Sequence, residues 1–176
     1  ERVKLLPEKS RTGSAGRNFY RLIKDADIED SDFISFADQD DIWLTDKLIR
    51  QIKQITTYAV DGVSSNVVAF WPDGSRYLIN KANPLKKFDY LFESAGPGCS
   101  FTITTSLFDK LKLILEISRP SDLPELHDWF IYAVCRGGGG RWHIDERPLL
   151  SYRQHANNVI GVAYGIKAKF KRLSHV

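Results

Sequence analysis

The sequence Asp32-Phe33-Ile34-Ser35-Phe36-Ala37-Asp38-Gln39-Asp40-Asp41 decides the fold that we expect for this chain of 176 residues. Its first part is a mostly apolar run, which is typical of a strand buried in a parallel sheet. Three carboxylates follow within the last four residues. Because open α/β sheets bind their ligands beyond the carboxyl ends of the strands, these acids are predicted to lie at a binding edge.

Helical patterns flank this strand on both sides. Upstream, we expect a strand at Val3–Leu6 and a helix that begins at Ser14, preceded by a glycine-bearing turn at Gly13–Gly16. That turn either lets a nucleotide approach the helix start or simply connects two elements. Downstream, a helix is predicted from an N-cap at Thr45 to about Tyr58. It carries one apolar stripe that we expect to pack inward, formed by Leu48, Ile49, Ile52 and Ile55.

The rest of the chain predicts a hairpin, further strands and three further helices. The hairpin spans Val67–Ile79 around Pro72–Ser75, because turn residues there separate two apolar runs. The other predicted elements are a strand at Cys99–Ile103, a helix through Leu107, Leu111 and Ile114, a helix at His127–Val134 ended by Gly137–Gly140, strands at Trp142–Asp145 and Leu149–Tyr152, and a helix at Val159–Arg172. We therefore expect an α/β fold with a mixed, mainly parallel sheet flanked by helices, of Rossmann-like type.

Composition excludes several classes of protein. The formal charge is only +3, from 25 basic and 22 acidic residues, so a nucleic-acid binder has no support. No apolar run approaches the roughly 20 residues that span a bilayer. Cys99 and Cys135 lie far apart without metal-type spacing, so a reduced cytosolic state is expected and neither thiol is predicted to be a nucleophile.

The acids Asp38, Asp40 and Asp41 repel each other unless a cation or hydrogen-bond donors occupy the site, and oxygen ligands of this kind suit Mg²⁺ or Mn²⁺. From the acids alone, a solvated surface turn is about equally supported. An EF-hand loop starting at Asp38 is excluded because Trp43 and Ile49 stand where it needs glycine and glutamate. A P-loop sequence is also absent.

Four ordered blocks resemble rhamnosyltransferase-like members of glycosyltransferase family two. The first resembles the DQDD-IW-K-Q signature of that family, and the others resemble its glycine-bearing segment, its acidic block at the acceptor-side helix and its YRQH-NN-G block. In this sequence they are Phe36–Trp43 with Asp46, Lys47 and Gln51; Gly98-Cys99; His127-Asp128-Trp129; and Tyr152–His155 with Asn157, Asn158 and Gly161.

The resemblance implies an A-type glycosyltransferase fold and a metal-dependent, inverting transfer of a sugar. The donor would be a dTDP- or UDP-linked sugar, with rhamnose favoured, and the acceptor a polysaccharide or lipid-linked hydroxyl. It also implies that Asp40 contacts Mn²⁺ or Mg²⁺ directly and that Asp38 binds the metal, the ribose or the diphosphate. Asp41 is expected to support the loop.

On the acceptor side, the resemblance implies that Asp128 is the general base. Asp128 is predicted in the first turn of a helix, where the positive end of the macrodipole favours the carboxylate form. Capping of that helix is the structural alternative. Arg153 and His155 alternate along a strand, so both could reach a diphosphate. Supporting roles are expected for Trp43, which we expect to wedge the metal loop, and for His127 and Trp129.

These features suggest one incomplete catalytic domain over residues 1–176. Residues 1–60 would complete the nucleotide-sugar half, residues 61–158 would form the acceptor side, and residues 159–176 would form a basic helix. The resemblance implies that the first strand, turn and second strand of the family pattern are missing before Glu1. We expect a cytoplasmic protein whose Lys167, Lys169, Lys171 and Arg172 could hold it on the inner face of the membrane. The alternatives are a UDP-hexose or UDP-N-acetylhexosamine transferase, and a catalytically silent carbohydrate-binding module.

Overall fold

A computed structural model describes residues 3–7, 13–28 and 30–154. The described helices are α1 (Ala15–Asp25), α2 (Lys47–Tyr58), α3 (Thr105–Ile117) and α4 (His127–Gly137). The described strands are β1 (Phe33–Ser35), β2 (Ile42–Trp43), β3 (Gly62–Ser65), β4 (Val67–Phe70), β5 (Arg76–Ile79), β6 (Thr102–Thr104), β7 (Trp142–Asp145) and β8 (Leu150–Arg153). Short 3₁₀ turns occur at Asp89–Leu91, Gly98–Ser100 and Pro120–Asp122.

The strands form two four-stranded sheets, in the orders β1-β6-β3-β7 and β2-β8-β4-β5. The chain passes from the first sheet to the second at Asn66, between β3 and β4. The Asn66 backbone N–H donates to the Asp145 carbonyl at 2.9 Å, and its side-chain Nδ2 donates to the Glu146 carbonyl at 2.8 Å. Asn66 thus links the β3–β4 crossing to the corresponding passage of the chain from β7 in the first sheet to β8 in the second.

The mixed α/β class is confirmed, but four of the six strand pairings in the described residues are antiparallel. The predicted hairpin accounts for one of them, since a short turn can only join antiparallel strands. The two parallel pairs, β3 with β7 and β4 with β8, join segments separated by α3 and α4. Parallel pairing needs such long crossovers, and few connections in this part of the chain provide them.

Helices cover both faces of the first sheet. The main core lies where α1, α3 and α4 meet one face, with Ile23, Ile103 and Leu111 at its centre. A smaller cluster of Ile55, Val60 and Val63 lies under α2 on the other face, with Phe33 packed against it. This three-layer arrangement is the one expected for an α/β fold.

The predicted inward face of α2 is correct at Ile55 but wrong at Leu48 and Ile49. Lys47, Gln51 and Gln54 are buried together with Ile55, whereas Leu48 and Ile49 are exposed. The reason lies in the surface beneath the helix, which presents polar groups that need partners. Gln51 Nε2 donates to the Ser100 carbonyl at 2.8 Å, and Gln54 Nε2 donates to the buried Asp145 carboxylate at 2.8 Å. Buried polar groups must be hydrogen-bonded, and here that requirement outweighs the apolar stripe.

Three boundaries also differ from the sequence prediction. Residues 3–7 form no strand, because Val3 and Leu5 are exposed and pair with no other strand among the described residues. Asp46 rather than Thr45 occupies the N-cap position of α2. The strand predicted at Cys99–Ile103 begins only at Thr102, since Gly98–Ser100 forms a 3₁₀ turn. The predicted helix at Val159–Arg172 lies outside the described residues.

None of the helices in the described part of the chain has the length and apolar character needed to cross a bilayer.

Candidate active site

The acidic loop, residues 36–41 between β1 and β2, lies against the end of β8. Arg153 holds it at two points. Its backbone N–H donates to Asp41 Oδ1 at 2.9 Å, and its Nε donates to the Asp40 carbonyl at 3.0 Å. The Arg153 guanidinium also lies 4.6 Å from the centre of the Phe70 ring. These contacts fix the loop against the second sheet and so set the direction of its carboxylates.

Asp38, Asp41 and Cys99 converge, with one ligand atom of each within 4.8 Å of the other two. Burial, followed by the charges of Asp41 and Asp40, raises the pKa of Asp38 to about 6. Burial also raises the pKa of Asp41, against the lowering effect of the nearby Cys99 thiol and of Arg153. Ionising two close, partly desolvated carboxylates is unfavourable, so the cluster favours a positively charged ligand.

This cluster fits a hard divalent cation. Asp41 Oδ2 is buried without a hydrogen-bond partner of normal geometry among the described residues, which leaves an oxygen for a ligand. Burial raises the pKa of the Cys99 thiol well above its ordinary value, so the sulfur stays protonated and is a poor ligand. Asp38 and Asp41 are therefore the pair that the geometry offers to Mn²⁺ or Mg²⁺. Asp40, which the sequence favoured for direct metal contact, is not part of the 4.8 Å cluster.

A buried lysine connects the start of α2 to this cluster. Lys47 Nζ lies 3.9 Å from the centre of the Trp43 ring and donates to Gln51 Oε1 at 2.9 Å. Burial lowers the pKa of Lys47 to about 8, while the neighbouring Cys99 acts in the opposite direction. Trp43 thus lies beside the acidic loop and contacts both the Lys47 ammonium group and the apolar cluster of Val67, Cys99 and Leu150. Together, these residues fix the base of the loop.

Asp128 approaches from the first turn of α4, far from the acidic loop in sequence. Its Oδ1 accepts a hydrogen bond from the Trp129 backbone N–H at 2.6 Å. Burial raises the pKa of Asp128 to about 6, although this hydrogen bond and the charge of Lys81 lower it. The sequence led us to expect that the helix terminus would favour the carboxylate form, but burial outweighs that effect. A carboxyl group that titrates near 6 suits general-base chemistry at neutral pH.

The acidic loop and the start of α4 interact electrostatically. The charge of Asp128 contributes to the raised pKa of Asp38, so the two carboxylates are close enough to interact. Tyr152 of β8 responds to the same charges. Burial raises the pKa of Tyr152, and the charges of nearby groups, among them Asp38 and Asp128, raise it further. Two carboxylates and a phenol from three elements therefore lie within electrostatic range of one another.

The neighbours of Asp128 hold α4 in place. The His127 ring stacks on Phe19 with centroids 4.0 Å apart and planes inclined by 16°. Burial lowers the pKa of His127 to about 4, so its imidazole is neutral at physiological pH. Trp129 Nε1 donates to the Tyr90 carbonyl at 2.7 Å. Both side chains therefore orient the helix that carries Asp128.

Two glycines allow close packing around the start of α4. A Cβ at Gly98 would overlap the His127 imidazole, and a Cβ at Gly16 would overlap the Glu125 carbonyl. Gly16 thus serves close packing, a role beyond the two considered for the Gly13–Gly16 turn from the sequence. Ser14 caps α1, since its Oγ accepts from the Arg17 backbone N–H at 3.2 Å.

Sequence comparison finds a named relative of this chain. The chain is 43% identical over 175 residues to the dTDP-rhamnosyl transferase RfbG of Shigella flexneri, an alignment that includes 99% of this chain. Nearly the whole chain is therefore similar to part of a dTDP-rhamnosyl transferase. It spans 61% of the length of that relative. No protein-family model matches the chain.

Of the residues that the sequence selected, the structure brings Asp38 and Asp41 together and places Asp128 within electrostatic range of Asp38. His155, together with Asn157, Asn158 and Gly161, lies outside the described residues, so its predicted contact with a diphosphate remains a prediction. Arg153 contacts the loop backbone, as described above.

Sequence reasoning missed Tyr152, Cys99 and Lys47 as neighbours of the acids. Tyr152 stands in the YRQH block of the family resemblance, but no role was assigned to it from the sequence. Lys47 could have been found from the signature block in which it stands, but a lysine in the first turn of a helix ordinarily faces solvent.

Proposed function

We propose that the protein containing this chain is an inverting, metal-dependent glycosyltransferase that moves rhamnose from dTDP-rhamnose to a hydroxyl of a saccharide or lipid-linked saccharide. The name of the relative supports the donor and the sugar. The observation that carries the proposal is that the cluster of Asp38 and Asp41 on the acidic loop lies within electrostatic range of Asp128 on α4. A direct displacement needs charge stabilisation on one side of the sugar and a base on the other.

In this proposal, Asp128 takes the proton of the acceptor hydroxyl. The hydroxyl oxygen forms a bond to the anomeric carbon from the face opposite the leaving diphosphate, while the bond from that carbon to the diphosphate oxygen breaks. The configuration at the anomeric carbon is therefore inverted. Because burial raises the pKa of Asp128 to about 6, its carboxylate is both available at neutral pH and basic enough to accept a proton.

On the donor side, Asp38 and Asp41 would hold the metal ion, with Asp40 as the alternative contact implied by the family resemblance. A bound Mn²⁺ or Mg²⁺ would neutralise the charge that develops on the departing nucleotide. Arg153 holds the loop in the conformation that presents these carboxylates and is a candidate contact for the diphosphate. Tyr152 would border the sugar between the two sides.

We also propose a cytoplasmic location. Cys99 and Cys135 are both free and buried, which agrees with a reducing compartment. The basic residues from Lys167 to Arg172 would contribute a peripheral contact with an anionic membrane, and they lie outside the described residues.

Calorimetric titration of dTDP and of UDP into the full-length protein, with Mn²⁺ and again with EDTA, tests the donor site. We expect binding of dTDP that requires the metal. Asp38→Ala should abolish it, whereas Asp109→Ala, which removes an exposed acid on α3, should not. Comparison of Asp40→Ala with Asp41→Ala identifies which of the two acids contacts the metal.

Other results would redirect the proposal. Binding of UDP but not dTDP would favour the UDP-sugar transferase. Failure to bind either nucleotide with Mn²⁺ or Mg²⁺ would contradict the donor site and favour a silent carbohydrate-binding module.

A further inference from the structure

An apolar surface lies on the segment between β5 and the turn at Gly98, close to α4. We call it the aromatic ledge; it consists of Leu85, Phe88, Leu91 and Phe92. Their exposed fractions are 39%, 52%, 53% and 83%, respectively. Single exposed apolar residues are ordinary, but four within eight positions, two of them phenylalanines, are a concentration of the kind that marks interaction sites.

The backbone of this segment is firmly held, so the exposure of the ledge is not a consequence of a loose loop. The Asp89 carboxylate accepts from the Lys86 backbone N–H at 2.9 Å and forms an ion pair with Arg136 at 3.5 Å. Arg136 also donates to the Lys86 carbonyl at 3.1 Å. Trp129 Nε1 fixes the Tyr90 carbonyl at 2.7 Å.

The Asp89 carboxylate therefore faces inward, whereas Phe88, Leu91 and Phe92 face outward. This arrangement is the reverse of the one expected for a segment that only connects two elements. It keeps Phe88 and Phe92 in water at a free-energy cost that a partner surface would remove.

The charge around the ledge is positive. Lys86 and Lys87 are exposed, and neither ammonium group is paired with an acid in the described part of the chain. Lys87 Nζ lies 5.1 Å from the centre of the Phe88 ring. The two nearby acids are already engaged, Asp89 with Arg136 and Glu93 with Lys81 at 2.8 Å.

We propose that the aromatic ledge docks on an anionic lipid bilayer. Phe88, Leu91 and Phe92 would enter the headgroup region, and Lys86 and Lys87 would contact the lipid phosphates. Exposed aromatic and leucine side chains beside lysines are typical of interfacial membrane anchors, since the apolar groups partition and the cations are attracted to anionic lipid. A neutral glycan or an apolar protein surface would use the phenylalanines but gives no role to the two lysines.

The position of the ledge gives such docking a consequence. Trp129, which holds Tyr90, is the neighbour of Asp128, so the ledge lies on the same part of α4 as the proposed base. Docking would bring the acceptor side of the site towards the lipid surface, where a lipid-linked saccharide could reach it. This consequence rests on the proposed function, whereas docking itself does not.

Vesicle flotation of the full-length protein tests the proposal. Vesicles of phosphatidylcholine alone are compared, at low and high salt, with vesicles in which about 30 mol% of the lipid is phosphatidylglycerol. This anionic lipid gives the vesicle a negative surface potential. We expect binding to the anionic vesicles that weakens with salt. The charge variant Lys86→Gln/Lys87→Gln should weaken binding about 25-fold, or about five-fold for each lysine.

The apolar variant Phe88→Ser/Phe92→Ser should weaken binding about ten-fold or more, because two phenyl groups that partition into the bilayer are lost. A matched control is Leu113→Ser/Ile117→Ser on α3, which removes apolar residues that are 60% and 78% exposed. This control should bind like the wild type. Because the ledge side chains are exposed, both variants should fold, which circular dichroism would verify.

Several outcomes would overturn the proposal. They are the absence of wild-type binding at low salt, equal binding to neutral vesicles, equal loss in the α3 control, and unchanged binding of the ledge variants. A wild-type dimer that the ledge variants convert to monomers, without vesicle binding, would assign the ledge to self-association instead. Metal-dependent binding of dTDP would be unaffected by any of these results, so failure of docking is distinguishable from failure of the proposed function.

Discussion

Replacing Asp128 by asparagine is expected to stabilise the fold at neutral pH while it removes transfer. Burial raises the pKa of the Asp128 carboxyl from an ordinary value of about 3.9 to about 6. Ionising it in the folded protein is therefore costlier than in the unfolded chain. Each pKa difference of one corresponds to about 1.4 kcal/mol, so the upper limit is about 3 kcal/mol. Residual solvent screening reduces this to about 1–2 kcal/mol.

The sign of the pH dependence follows from proton binding. Between about pH 4 and pH 6 the folded protein binds the proton of Asp128 more tightly than the unfolded chain does, so stability falls as the pH rises through this window. Asparagine cannot ionise, and its side-chain oxygen can still accept from the Trp129 backbone N–H. The variant should therefore match the wild type near pH 4 and exceed it by about 1–2 kcal/mol at pH 8.

Urea denaturation at both pH values measures this difference, with Asp109→Asn on the exposed side of α3 as the control. In the same preparation, transfer from the donor should fall by a factor of about 10² or more, because the base is lost. The wild-type rate should rise with pH through about 6, as the carboxylate forms. Equal stability of wild type and variant at pH 8, or near-wild-type transfer by the variant, would refute the assignment of a buried base.

Two further predictions concern the supports of the site. Gly98→Ala should destabilise the fold by about 1–3 kcal/mol, because its Cβ would overlap the buried His127 ring. The control variant Gly137→Ala should not, since its Cβ meets only the Tyr90 ring, at 3.5 Å. Equal urea midpoints for the two variants would contradict this packing. Lys47→Met should be more stable relative to the wild type at pH 7 than at pH 10, because burial lowers the pKa of Lys47 to about 8 and the wild type loses its costly charge as the pH rises. Denaturation at the two pH values measures this change, and a difference that did not vary with pH would be inconsistent with a buried ammonium.

The sequence predicted most elements because their local signals agree with their tertiary environment. The hairpin at Val67–Ile79 has turn residues between two apolar runs, and the strand at Trp142–Asp145 has glycines before it. Such signals are local and need no knowledge of the partner strand. Whether two strands pair parallel or antiparallel depends on which strands meet in the fold. The hydrophobic periodicity of the sequence therefore could not predict how many pairs are antiparallel.

The orientation of α2 was not accessible for a related reason. Its apolar stripe predicts one buried face, but the face that is buried is the one with partners for the Ser100 carbonyl and the Asp145 carboxylate. Those two groups are separated from α2 by long stretches of chain. Likewise, the family resemblance singled out Asp38 and Asp128, but only the packing of α4 shows that burial, and not the helix terminus, controls the pKa of Asp128.

The Asn66 crossing has a consequence for how the chain folds. Each sheet receives a parallel partner strand from near the end of the described chain, since β7 joins β3 and β8 joins β4. Contacts between such distant segments require closure of a long loop, which slows folding. During synthesis on the ribosome, the edges of β3 and β4 that pair with β7 and β8 therefore remain unpaired until those two strands have emerged. Folding intermediates of this protein are expected to be prone to aggregation, and chaperones that shield strand edges should increase its yield.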